Sequence, residues 1–181
     1  MPVKIPEPWL GFLREVDRAL GQPMEVHCLG GFVLTVLWDL PRPTGDVDFI
    51  EIDPETAGAE LLRIAGEGSE LEKRYRLRFH RVTIAEYPEG YASRLVDITP
   101  RSFRRIRLLA FEVHDLVLAK LARNSPRDRE DVTFLAGKGA LKQTLLAERF
   151  DTELRPYVLN EARHTANLKL WLDECFGTGG H

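Results

Sequence analysis

The stretch Val26–Ile52, VHCLGGFVLTVLWDLPRPTGDVDFIEI, decides the fold. A short apolar run ends in Gly30-Gly31, and an apolar segment of helical length follows it. Two prolines and a glycine then disfavour regular structure before a second apolar run begins. The pattern predicts a strand, a glycine turn, a helix, a loop and a second strand that carries Asp46 and Asp48.

The second strand places two carboxylates on one face. Residues i and i+2 of a strand point the same way, about 6–7 Å apart, so Asp46 and Asp48 converge while Val47 faces the core. Oxygen ligands with open positions suit Mg²⁺ or Mn²⁺. Asp97, in an apolar strand of its own, is a candidate third metal ligand. The alternative is that Asp46 is a turn residue after Gly45 and Asp48 lies at a solvated strand edge.

The rest of the chain surrounds this stretch with alternating strands and helices. Apolar spacing predicts a helix over residues 9–19 and strands over residues 24–29, 74–84, 91–98 and 106–111. From residue 112 the period becomes helical. We therefore expect an α+β fold, with a mixed sheet flanked by helices and a helical C-terminal part. Residues 1–111 would form the core, and residues 112–181 would pack on it to give one compact unit.

Composition and charge narrow the classes of partner. The 181 residues carry a net charge of −3, with 44% hydrophobic residues, which indicates a globular chain. Two cysteines build neither a disulfide framework nor a zinc site. No signal-like segment opens the chain and no apolar run approaches about 20 residues, so we expect a cytoplasmic protein without membrane contact.

The charge is unevenly distributed. Residues 1–60 hold four Lys/Arg against eleven Asp/Glu, and residues 73–107 hold ten against three. The basic segment is either a solvated sheet face or a track for the phosphates of RNA, such as the acceptor end of tRNA. The arginines proposed to contact RNA are Arg74, Arg76, Arg78, Arg104 and Arg105.

The spacing of these motifs resembles the nucleotidyltransferase superfamily with the polymerase-β-like fold. The family pattern of strand, Gly-Gly or Gly-Ser, helix and Asp-x-Asp strand is matched by Gly30, Gly31, Asp46 and Asp48. Within it, the chain is similar to AbiEii-toxin-like and DUF6036 bacterial proteins. The similarity lies in the element from Arg42 to Asp48, and in a later helix with Asp115-Leu116 and Lys120 that precedes the Arg/Asp-rich turn 127–131.

The resemblance implies a role for each matched residue. Gly30 and Gly31, with Arg42, Thr44 and Lys120, would bind the nucleotide. The remaining implied residues are the metal ligands Asp46 and Asp48, and Asp131 (or Asp128), which would orient Lys120 or a substrate group. Where many relatives have Gly-Ser, this chain has Gly31, so a hydroxyl that meets phosphate is missing.

Three functions remain open on the sequence. The first is an enzyme that moves a nucleoside monophosphate from an NTP to RNA, protein or a small molecule, as a toxin of a toxin–antitoxin system in one version. The second is a weak or inactive relative that binds or regulates, such as one half of a toxin–antitoxin pair with a partner protein. The third is a structural domain without a small-molecule site.

Overall fold

The computed structural model describes residues 3–177. Contacts divide the chain into two units. Unit 1 comprises the described part of Met1–Thr83 together with Leu95–Phe111, and unit 2 comprises Ile84–Arg94 together with the described part of Glu112–His181. Residues 84–94, expected in the core, therefore belong to the second unit.

Unit 1 contains the whole sheet and four α-helices. Its helices are α1 (Trp9–Ala19), α2 (Gly30–Trp38), α3 (Ala57–Ala65) and α4 (Glu70–Tyr75). Its strands are β1 (Met24–Leu29), β2 (Asp46–Asp53), β3 (Arg78–Arg81), β4 (Val96–Asp97) and β5 (Ile106–Ala110). The sheet order is β3-β2-β1-β5-β4, with β2–β3 and β1–β5 parallel and the other two pairs antiparallel. The expected mixed sheet flanked by helices is confirmed.

One face of the sheet is apolar and the other is charged. Val26, Val47 and Phe79 are at most 1% exposed and lie on the apolar face, where Phe79 packs against Phe12 of α1 with ring centroids 5.9 Å apart. On β2 the pairing register shifts, so that Ile50 is an extra residue and is buried beside Phe49. Beyond this bulge, residues of β2 again alternate between the two faces of the sheet, but shifted by one position. The carboxylates on both sides of the bulge consequently share the charged face.

Unit 2 is helical. It contains α5 (Val113–Leu118), α6 (Pro126–Gly137), α7 (Gln143–Arg149) and α8 (Glu161–Phe176), with shorter helical turns at Glu89–Arg94, Phe150–Leu154 and Arg155–Tyr157. The start of α6 is fixed by a capping box in which Ser125 and Asp128 exchange backbone and side-chain hydrogen bonds. None of the helices within residues 3–177 has the length and apolar character that a membrane crossing requires.

Two predicted strands are wrong in their extent. Residues 70–75 form α4, with Ser69 as N-cap and Arg76 in the left-handed conformation, so β3 starts only at Arg78. Likewise, Glu89–Arg94 is a 3₁₀ helix, and only Val96–Asp97 pairs as a strand. Helical structure thus takes the first two residues of the predicted strand 74–84 and the first four of the predicted strand 91–98.

Candidate functional site

The two carboxylates open β2 on the charged face of the sheet. The side chains of Asp46 and Asp48 are 41% and 27% exposed, whereas Val47 between them is fully buried. Burial of Val47 fixes which way the strand faces, because a one-residue slip would bring both carboxylates into the core. The expected convergence of the pair is therefore built into the strand.

Each carboxylate has a basic partner on β3. The parallel register sets Asp46 opposite Arg78 and Asp48 opposite His80. Arg78 Nε donates to Asp46 Oδ1 at 2.8 Å, and His80 Nδ1 lies 2.8 Å from Asp48 Oδ1. The hydrogen bond to Asp46 raises the pKa of Arg78. Sequence reasoning placed Arg78 in an RNA track and did not pair His80 with Asp48, although the i, i+2 spacing of both bases matches that of the carboxylates.

The glycine turn lies directly against Asp48. Gly30 has φ +79°, which favours glycine, and a Cβ built there would stand 2.5 Å from Asp48 Oδ2. Gly30 and Gly31 are the first two residues of α2, which has no side-chain cap at its N-terminus. Free N–H groups and the helix dipole make such a terminus attractive to anions. The start of α2 and the Asp48 carboxylate therefore lie side by side.

The loop before β2 lies over the second glycine. A Cβ at Gly31 would meet Thr44 Oγ1 at 3.1 Å and Arg42 Nη2 at 3.4 Å. The structure thus brings together the glycine pair, Arg42, Thr44 and the carboxylate pair, all within unit 1. In this arrangement the Thr44 hydroxyl lies beside Gly31.

Asp97 is not brought to this group. It lies on the edge strand β4, which is separated from β2 by two other strands, or roughly 14 Å at ~4.8 Å per strand. Its carboxylate accepts from Arg107 Nε at 3.0 Å and from the Thr99 amide at 2.9 Å. Burial alone would raise the pKa of Asp97, but these hydrogen bonds lower it below its ordinary value. As a correction, the structure gives Asp97 a local structural role in place of the expected third metal ligand.

The basic segment does not form one face. Arg74 is on α4, within 3.8 Å of Glu15, and Arg76 is the left-handed residue that ends this helix. Arg104 and Arg105 lie just before β5, two strands away from β2. The prediction that Arg74, Arg76 and Arg78 share one face of a strand is wrong, because only Arg78 belongs to a strand.

Lys120 and Asp131 meet within unit 2. The Lys120 ammonium is buried, at 7% exposure, and donates to Asp131 Oδ2 at 2.9 Å and to Asp128 Oδ1 at 3.1 Å. Both carboxylates are fully buried. Arg123 also donates to Asp128, from a side chain that is 68% exposed. Burial opposes ionisation of Asp128, but hydrogen bonds from Arg123 and Ser125 and the charge of Lys120 lower its pKa.

A second charged network in unit 2 was not predicted. Fully buried Asp115 accepts from Arg94 Nε at 2.8 Å and from Arg149 at 3.1 Å. Glu112 accepts from Arg149 and from His114 Nδ1, the latter at 2.7 Å. Partial burial alone would raise the pKa of Glu112, yet these hydrogen bonds lower it to about 2. The available signal was Asp115, a carboxylate within an apolar helical segment.

The carboxylate pair fits one divalent cation with open coordination. Mg²⁺ is typically held by one or two carboxylates and keeps several waters for exchange with substrate phosphates. Asp46 and Asp48 supply that number of ligands from one strand face beside a helix N-terminus. Within residues 3–177 no group of three or more His, Cys, Asp or Glu side chains is arranged to hold a metal ion. Asp46 and Asp48 are the two carboxylates that this end of β2 offers to a cation.

The fold and this site define a nucleotidyltransferase-like domain. A family model confirms the class: the chain belongs to the DUF6036 family, described as a nucleotidyltransferase of unknown function, which matches residues 13–175. Neither the curated proteins nor the solved structures that were compared with the chain gave a match.

Proposed function

We propose that the protein is a Mg²⁺-dependent nucleotidyltransferase that moves a nucleoside monophosphate from an NTP to a hydroxyl acceptor. The observation that carries this proposal is the contact between Asp48 Oδ2 and the glycine start of α2. In this arrangement a carboxylate that would bind the metal lies beside a helix N-terminus that would bind phosphate. Membership of a family described as a nucleotidyltransferase supports the same reaction class.

In this proposal, residues of unit 1 bind the metal and the phosphates of the nucleotide. Asp46 and Asp48 would hold Mg²⁺, or Mn²⁺, on the charged face of β2. The amides at Gly30 and Gly31 would bind phosphate oxygens, with Arg42 and Thr44 on the side of the loop. When bound, the metal supplies neutralisation of the triphosphate charge and lowers the pKa of the attacking hydroxyl.

Arg78 and His80 would exchange partners during substrate binding. Both bases hold the oxygens that a cation would take over. The Arg78 guanidinium and the His80 imidazole released from Asp46 and Asp48 would then be free to bind substrate phosphates. The acceptor hydroxyl would lose its proton to water and attack the α-phosphorus, while the bond to the bridging oxygen breaks and pyrophosphate leaves. The rate would depend on the orientation of the two reactants and on electrostatic stabilisation of the transition state.

Lys120 and Asp131 enter the proposal through the family resemblance. The hydrogen bonds that hold the Lys120 ammonium support its role as an oriented group, with Asp131 and Asp128 as its positioning residues. The acceptor class that we propose is RNA, including tRNA, protein or a small molecule. A role as a toxin in a toxin–antitoxin system, with a cognate antitoxin as partner, extends the proposal to regulation.

Label transfer tests the reaction. The wild-type chain is incubated with each α-labelled NTP, Mg²⁺ and a cell extract that supplies all three acceptor classes. We expect label in one acceptor fraction, at least about 100-fold less with Asp48→Asn, since a lost metal ligand typically costs several kcal/mol of transition-state stabilisation. Glu51→Gln is the matched control, because it removes the same charge from the same face of β2. Transfer that persists in Asp48→Asn contradicts the metal assignment.

A second candidate is a binding or regulatory protein without turnover. It is favoured by the ion pairs that already satisfy Asp46 and Asp48, and by the distant position of Asp97. In this case NTP binding would be independent of Mg²⁺ or absent, and the protein would form a stable complex with a partner protein. Mg²⁺-dependent binding of an NTP in the micromolar range would exclude this alternative.

A further inference from the structure

A cavity of about 1030 Å³ lies in unit 1 at the end of the sheet opposite to the carboxylate pair. Residues at the starts of β1 and β5 and at the ends of β2 and β4 line it, among them Glu25, Arg107, Asp53 and Asp97. Asp46 is seven residues before Asp53 on β2, or about 23 Å away at ~3.3 Å per residue. The cavity is thus separate from the proposed transferase site.

Four arginines line the cavity, and two of them are already engaged. Arg107 donates to Glu25 at 2.9 Å and to Asp97 at 3.0 Å, and Arg105 donates to the backbone oxygen of Leu20. The side chains of Arg101 and Arg104 are exposed, and they have no hydrogen-bond or ion-pair partner among residues 3–177. Two guanidinium groups are therefore available to an anion.

The backbone from Arg104 to Ile106 is anchored to a buried carboxylate. The buried carboxylate of Asp17 accepts the backbone N–H groups of Arg104, Arg105 and Ile106 at 2.8–3.1 Å. Because three amides are bound to one fixed carboxylate, the backbone before β5 has little freedom to rearrange. Preorganised donors bind a ligand at a lower entropic cost than mobile ones.

The cavity also has an apolar part and a further carboxylate, that of Asp53. Met24 and Ile106 are at most 4% exposed and form its floor, and Phe103 is a partly exposed lining ring. The Asp53 side chain has no hydrogen-bond or ion-pair partner in the described part of the chain. A ring can contact Phe103, and a hydroxyl can donate to Asp53, while a phosphate binds the free arginines.

We propose that this cavity binds a nucleoside monophosphate. Arg101 and Arg104 bind the phosphate, Phe103 contacts the base, and Asp53 accepts from the ribose hydroxyls. The volume is at the upper limit of small-ligand sites, and guanidinium pairs match phosphate geometry better than ammonium groups do. Binding here requires no metal, in contrast to binding at the carboxylate pair.

The test measures binding of the four ribonucleoside 5′-monophosphates by calorimetry, with the Asp48→Asn chain in EDTA. These conditions exclude the proposed metal-dependent site, so failure of the transferase proposal leaves this experiment unaffected. We expect at least one nucleotide to bind saturably below about 1 mM. The pair Arg101→Ala/Arg104→Ala should weaken this binding at least about 30-fold, since it removes two charge-assisted contacts. Phe103→Ala should weaken it several-fold, as expected for a base that contacts the ring.

Arg18→Ala/Arg63→Ala is the matched control, because it removes the same charge from exposed positions of α1 and α3 in unit 1. It should leave affinity within about 2-fold. Inorganic phosphate should bind at least about 10-fold more weakly than the nucleotide. Three results would overturn the proposal: no saturable binding, equal loss in the control pair, or inorganic phosphate that binds as tightly as the nucleotide.

Discussion

Gly30→Ala should destabilise unit 1 by more than its backbone conformation alone explains. An L-residue at φ +79° costs about 1–2 kcal/mol relative to glycine. At Gly30 the new Cβ would also stand 2.5 Å from Asp48 Oδ2, well inside van der Waals contact. Either the Asp48 carboxylate must turn away from His80 or the start of α2 must shift, and overpacking of this kind costs about 1–3 kcal/mol. The expected total is roughly 2–5 kcal/mol.

Gly68 offers a matched control within the same unit. It also has φ +79°, but a Cβ there would meet nothing within 4 Å. Gly68→Ala should therefore cost only the backbone share, about 1–2 kcal/mol. Urea unfolding followed by far-UV circular dichroism gives both free energies of unfolding, and their difference isolates the contact with Asp48. If Gly30→Ala costs no more than Gly68→Ala, the close approach of α2 to the carboxylate is refuted.

Three further changes have expected outcomes. Lys120→Met should cost about 3–5 kcal/mol of stability in urea unfolding, because it removes the buried ammonium that two buried carboxylates share, whereas Arg123→Met, which removes the exposed partner of Asp128, should cost at most about 1 kcal/mol. The pKa of Glu112 in the folded state is about 2, below its ordinary value of 4.5. The ionised carboxylate therefore stabilises the fold fully above pH 4.5, and this stabilisation is lost as the pH falls toward 2. Between pH 6 and pH 3, the thermal midpoint should fall less steeply in Glu112→Gln than in the wild-type chain. Asp97→Asn should leave the affinity for Mg²⁺ in calorimetric titrations within about 2-fold, and a larger loss would restore Asp97 as a ligand.

The sequence predicted β1, α2 and β2 well because local signals agreed there. Apolar runs, the glycine pair and the Pro/Gly loop mark the ends of these elements, and tertiary packing leaves the ends close to those positions. The facing of Asp46 and Asp48 followed from strand periodicity alone.

The errors arose where one pattern fits two structures. Alternating arginines and apolar residues over 74–84 are typical of a strand, but Ser69 and Glu72 form the start of a short helix that uses part of the same pattern. The spacing Ser-x-x-Glu was the available signal. For Asp97, periodicity predicted a strand correctly, yet no local property of a sequence fixes strand order, which placed it far from β2.

Partners across the sheet could not be predicted for the same reason. Arg78 and His80 face Asp46 and Asp48 only because β3 is parallel to β2 and in that register. A single slip by one residue would set Phe79 against a carboxylate. Such pairing is determined by the apolar face of the whole sheet, which emerges only when all strands are assembled.

Calorimetric binding of a non-hydrolysable NTP analogue tests the central claim most directly, because it needs no known acceptor. The wild-type chain should bind the analogue with Mg²⁺ in the micromolar range and at least about 100-fold more weakly in EDTA. Asp46→Asn/Asp48→Asn should abolish the Mg²⁺-dependent part, while Glu51→Gln, on the same face of β2, should retain it. Equal affinity with and without Mg²⁺, or full Mg²⁺-dependent binding by the double variant, would contradict a metal-dependent nucleotide site at the carboxylate pair.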